Sequence, residues 1–189
     1  MEFIPDDSQG PTLDVPYYGE ARAEDGWQGQ STSLSFDSLK RDISETMARL
    51  GGVVHTIQRG TYHIGGLDRP GVQVHYSVEG PGGQMAYGRL DIAALPVKSP
   101  AKRHGWKETL RNWEDNSLRM ALYNVVQALK AQWVLKQLNP AYVPLMPWLL
   151  DKHDRTLTEA FADSGYSKAL MPPEGGDFVQ GEFKESLDD

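Results

Sequence analysis

At 189 residues the chain is long enough for one domain with its own core, and its length argues against two. It has no cysteine, which excludes a disulfide framework, thiolate metal ligation and a cysteine nucleophile. The net charge of -7 argues against a nucleic-acid partner only if it is evenly spread, and it is not. Residues 1–30 hold seven acids against Arg22, a net of -6, and residues 165–189 hold six acids against Lys168 and Lys184, a net of -4. The body between them therefore carries +3.

No apolar run approaches the roughly 18 residues needed to cross a bilayer. The opening Met-Glu-Phe-Ile-Pro-Asp-Asp lacks the positive start and apolar stretch of a signal peptide. The expectation is a soluble cytoplasmic protein with no membrane partner.

The first thirty residues are rich in Pro, Gly and acids, without helical or strand periodicity, and are expected to be mostly irregular. Phe36, Leu39, Ile43, Met47 and Leu50 then recur at helical spacing, with Ser35 as N-cap and Gly51 as the stop, which predicts an amphipathic helix. Val53 to Ile57 and Thr61 to Ile64 read as strands separated by a turn at Arg59-Gly60. Val72, Val74, Tyr76 and Val78 alternate with Gln73, His75, Ser77 and Glu79, the pattern of a half-buried strand. Gly80-Pro81-Gly82-Gly83 turns the chain into a return strand over Gln84 to Ala94.

After a basic loop, a helix about thirty residues long begins near Trp106, with Leu118, Leu122, Val125, Leu129 and Trp133 as the stripe facing the sheet. Trp113 and Trp133 are assigned to the core. Asp115-Asn116-Ser117 can mark a new N-cap and so a break in this helix, and Asn139-Pro140 ends it. An apolar knot from Tyr142 to Leu150 and a short helix over Thr156 to Ala162 complete the body.

The prediction is an α+β fold: an antiparallel sheet of three to four strands covered by one long helix, with a preceding amphipathic helix and a short C-terminal one. Its domain plan is an acidic N-terminal segment 1–30, a single domain 31–164 and an acidic, flexible C-terminal tail 165–189.

The order of helix, β block, Ala94-Leu95-Pro96, a helix from Arg119 to Lys130-Ala131, and Asp154-Arg155-Thr156-Leu157-Thr158-Glu159 resembles an uncharacterised family of phage and prophage proteins. The resemblance spans residues 36–162. It departs at Lys152-His153-Asp154-Arg155, where that family more often has a glycine before the Arg. It implies a mobile-element setting in a bacterial or phage-infected cell, and no reaction.

Chemistry sought directly gives little. His55, His63 and His75 fall on neighbouring strands, and three imidazoles can hold a zinc, but surface histidines on strands are far commoner. Glu79 and Asp91 lie on paired strands like the acids of restriction-type nucleases, yet Asp91-Ile92-Ala93 lacks the lysine of that signature. Asp151, Asp154, Glu159 and Asp163 are better explained as helix caps and surface acids. Neither Gly65-Gly66 nor Gly80–Gly83 carries the lysine and Ser/Thr of a phosphate loop, and no nucleophile elbow accompanies Ser, His and Asp. No enzyme, metal or cofactor is predicted.

The remaining signal is the basic segment 98–111. Lys98, Lys102, Arg103, Lys107 and Arg111, interleaved with His104 and Trp106, form a composition that neutralises phosphates and stacks a base. The plain alternative is a solvated loop whose charges pair with nearby acids. Two functional readings follow. The first is a non-enzymatic nucleic-acid-binding accessory protein for replication, recombination or regulation. The second is an acidic protein-interaction module, an inhibitor or adaptor that mimics nucleic acid or docks its tail through Phe178, Phe183 and Leu187. A homodimer is open to either, through an exposed strand edge or the Tyr142 to Leu150 knot.

Overall fold

A computed structural model describes residues 15–30, 32–79, 83–98, 106–139 and 141–163, with residues 106–109 described by backbone alone. The architecture is α+β. Helix α1 (Phe36–Arg49) leads into strands β1 (Gly52–Ile64), β2 (Leu67–Glu79) and β3 (Met85–Ala93), followed by the long helix α2 (Trp106–Leu138) and the short α3 (Leu157–Asp163). The three strands form one antiparallel sheet in the order β1-β2-β3. Among the described residues, no helix is long and apolar enough to cross a membrane.

Helix α1 starts where Ser35 Oγ accepts from Ser38 N at 3.1 Å, and it buries Leu39, Ile43 and Met47. The core lies between α1, α2 and one face of the sheet, where Val72, Val74, Tyr76, Leu90 and Ile92 meet Leu118, Leu122, Val126 and Leu129. Full burial of a large apolar side chain is worth about 1.5–3 kcal/mol, so this layer dominates the stability.

One turn and one helix differ from the reading of the sequence. β1 runs unbroken through Arg59-Gly60, and Gly60 pairs with Gly71. The reversal falls instead at Gly65 and Gly66, both at positive φ (59° and 75°), the backbone that a two-residue hairpin with right-handed twist requires. The second difference is in α2, which does not break at Asp115-Asn116-Ser117. Ser117 is fully buried and its hydroxyl donates to Leu95 O at 2.8 Å, so it ties the helix to the segment after β3 rather than capping a new one.

The α2 stripe is buried through Leu129 and then emerges. Trp113 and Trp133 are 39% and 38% exposed, so neither is a core residue. A helix of 33 residues extends about 50 Å at 1.5 Å per residue, and most of its residues beyond Leu129 are exposed.

The segment 15–30 forms two single 3₁₀ turns and lies on the body: Ala21 is buried with Leu95 and Met120, and Tyr18 N donates to Pro96 O at 2.9 Å.

Candidate functional site

The predicted binding residues are dispersed. Lys98 is exposed and forms an ion pair with Glu20, its Nζ standing 4.7 Å from the Tyr17 ring centroid. Lys98 therefore belongs to the contact that holds the N-terminal segment. Lys102, Arg103 and His104 lie outside the described residues, as do the tail residues Phe178, Phe183 and Leu187. Trp106 and Lys107 open α2, with side chains outside the description. Arg111 is exposed on α2 and precedes Asn112, which lines a recess that the sequence did not indicate.

That recess, a groove of about 550 Å³, lies between the N-terminus of α1, the edge strand β1 and α2. Its walls are Ser35, Phe36, Arg59, Asn112, Asp115, Asn116, Leu118 and Arg119. Asn112, Asp115, Asn116 and Arg119 are spaced three and four apart, so one helical stripe presents them all.

Arg59 reaches the groove because β1 carries a bulge. Val54 pairs with Tyr76, Ile57 with Val74 and Arg59 with Val72, and the register shifts between Val54 and Thr56. The extra residue, His55, inverts the alternation. Ile57 and Arg59 thereby point to the helix side, which a regular strand would give to Thr56 and Gln58. The guanidinium of Arg59 pairs with Asp115 and lies 5.8 Å from the Phe36 ring centroid, and Lys40 Nζ stands 5.1 Å from the same centroid. Arg119 donates to Asn116 Oδ1. The lining holds two arginines, Arg59 and Arg119, against one carboxylate, Asp115.

The opposite, open face of the sheet is polar and internally satisfied. Asp91 Oδ1 accepts from Tyr62 Oη and Gln73 Nε2, both at 2.8 Å, and Asp91 Oδ2 accepts from Arg89 Nε at 2.8 Å. Arg89 also donates to both Glu159 oxygens, at 2.8 and 2.9 Å, and to Asp154 O at 3.0 Å. Burial works to raise the Asp91 pKa, but the hydrogen bonds from Gln73, Arg89 and Tyr62 outweigh it and hold the carboxyl below its ordinary value. Burial, reinforced by the bond to Asp91, pushes the Tyr62 phenol up.

Glu159 is also the far end of a capping box. Thr156 N donates to Glu159 Oε2 at 2.7 Å, and Glu159 N donates to Thr156 Oγ1 at 3.2 Å. Asp151 Oδ1 accepts from His153 N at 2.7 Å and Arg155 N at 3.1 Å. These bonds, led by the one from the Arg155 backbone, lower the Asp151 carboxyl to about 2. Both acids act as caps and turn formers.

The strand histidines do not converge. His55 Nε2 meets Ser77 Oγ at 2.8 Å, His75 Nε2 meets Gln73 Oε1 at 2.8 Å, and His63 Nδ1 meets Asp68 Oδ1 at 3.0 Å at the hairpin tip. Among the described residues, no group of three or more His, Asp or Glu is placed to hold a metal ion. Glu79 and Asp91 are likewise separated, paired with Met85 and Gln73 respectively.

No protein-family model matches the chain, and no curated protein or solved structure does either.

Sequence reading missed Arg59, Asn112, Asn116 and Arg119 as a set. Local preference places Arg59 at a turn, and Asn112, Asn116 and Arg119 fall outside the apolar stripe of α2. The available signal was the spacing of three between Val54 and Ile57, which breaks a period of two and announces a bulge.

Proposed function

We propose that this protein is a nucleic-acid-binding accessory protein whose contact surface is the groove between β1 and α2. The observation that carries this reading is the meeting of Arg59, from a bulged edge strand, with Asn112, Asn116 and Arg119 in one recess. Arginine binds phosphate with a planar fork of N–H donors, and the two arginines of the groove outnumber its single carboxylate, Asp115, which pairs with Arg59.

The test is fluorescence anisotropy with labelled oligonucleotides at about 50 and about 200 mM salt. Affinity is expected to fall steeply with salt. Arg59→Ala/Arg119→Ala should weaken binding and reduce the log–log salt slope by about 2, one per lost phosphate contact. Unchanged affinity and slope in the double variant would overturn the assignment.

A further inference from the structure

Phosphate binding alone does not account for the lining of the groove. An arginine offers a phosphate only donors, whereas each asparagine offers an acceptor carbonyl as well as an N–H₂ group, and a carbonyl repels a phosphate oxygen. Asn112 and Asn116 stand one helical turn apart on the same stripe and both line the recess. Because Arg119 donates to Asn116 Oδ1, the nitrogen of that amide is what remains to donate outward. Paired amides of this kind match the edge of a nucleobase, which presents donors and acceptors side by side.

The shape agrees with the chemistry. A recess of about 550 Å³ walled by two helices and a strand is the size of a small-ligand site, with room for one nucleotide. In a duplex the base faces are stacked and the Watson–Crick edges paired, so no whole base can enter a recess of this size. An unpaired base is free to turn inward, and the guanidinium of Arg59, half-exposed beside the Phe36 ring, gives it a planar surface for stacking.

We infer that the groove admits one unpaired nucleotide of a single strand, its base edge held by Asn112 and Asn116 and its phosphates by Arg59 and Arg119. The inference rests on the nucleic-acid reading above and narrows it to single strands with a specific base pocket.

The experiment compares a labelled oligo-dA strand of about 12 nucleotides, the same strand with its central base removed, and the corresponding duplex, each titrated with the full chain. The intact strand should bind about tenfold more tightly than either the abasic strand or the duplex. Asn112→Ala, at an exposed position, should remove that advantage while leaving the salt slope and thermal midpoint unchanged. Adenosine monophosphate in about hundredfold excess should displace the strand only weakly, because it lacks the neighbouring phosphates. Equal affinity for strand, abasic strand and duplex would overturn the base pocket while leaving phosphate binding intact. Complete displacement by the mononucleotide would overturn it in favour of a free nucleotide as occupant. Absence of salt-dependent binding to every oligonucleotide would instead sink the nucleic-acid reading itself.

Discussion

On the helix side of the sheet the Tyr76 ring lies across Gly88, where a Cβ would stand 2.2 Å from the ring, and its hydroxyl donates to Leu145 O at 3.1 Å inside the core. On the open side the Tyr62 ring lies across Gly71, where a Cβ would stand 2.3 Å away, and its hydroxyl donates to Asp91. The same pairing of an aromatic ring over a strand glycine is thus used on both faces, with different anchoring. Tyr76 is held by burial among apolar side chains, whereas Tyr62 is held by a network that runs through Asp91 and Arg89 to Glu159. One face depends on the hydrophobic effect and responds to lost volume; the other depends on ionised carboxylates and responds to lost charge.

The largest difference should appear on removing the two rings. Tyr76→Ala empties a fully buried aromatic site and is expected to cost about 3–5 kcal/mol in urea unfolding. Tyr62→Ala should cost about 1 kcal/mol, near the centre of measured single substitutions. Comparable losses would mean that the open face is as much a core as the covered one.

Acid titration sharpens the comparison. The Asp91 and Glu159 carboxyls are held low in the folded protein, burial opposing the shift at Asp91 and the Thr156 backbone leading it at Glu159. Depressed carboxylates contribute stability that is fully present above their unfolded values near 4 and is lost as pH falls through the lower folded values. The thermal midpoint should therefore drop between about pH 5 and pH 2. Asp91→Asn should flatten part of that drop, while Tyr76→Phe should leave its slope unchanged; a slope identical in wild type and Asp91→Asn would remove the network from the account.

The smallest effect belongs to the groove. Arg59 and Asp115 have side chains 50% and 40% exposed, and ion pairs so placed contribute about 0–1 kcal/mol. Arg59→Ala should shift stability by less than about 0.5 kcal/mol by urea titration, so a binding loss in that variant reports on the surface and not on unfolding. A larger shift would make Arg59 a structural residue.

Much of this division was legible before any coordinates. The spacing of Leu39, Ile43 and Met47 located α1 and its buried face, and the alternation from Val72 to Val78 located the covered face of β2. The Gly65-Gly66 reversal was obscured because Arg59-Gly60 is an equally plausible turn when only local preference is weighed; cross-strand pairing of Gly60 with Gly71 decides between them. Residues 149–156 could not be placed from local pattern either. Leu150 N donates to Tyr87 O at 2.8 Å and Leu149 bridges Gly88, contacts more than sixty positions apart that bring Glu159 onto Arg89.

Periodicity and charge order alone determined the α+β class, the two long amphipathic elements and the segregation of acids toward both ends, because these follow from how neighbouring residues share a face. Tertiary structure decided which faces meet. A single bulged residue in β1 turned Arg59 toward α2, and only the packed arrangement of α1, β1 and α2 converts an unremarkable stripe of Asn and Arg into a recess.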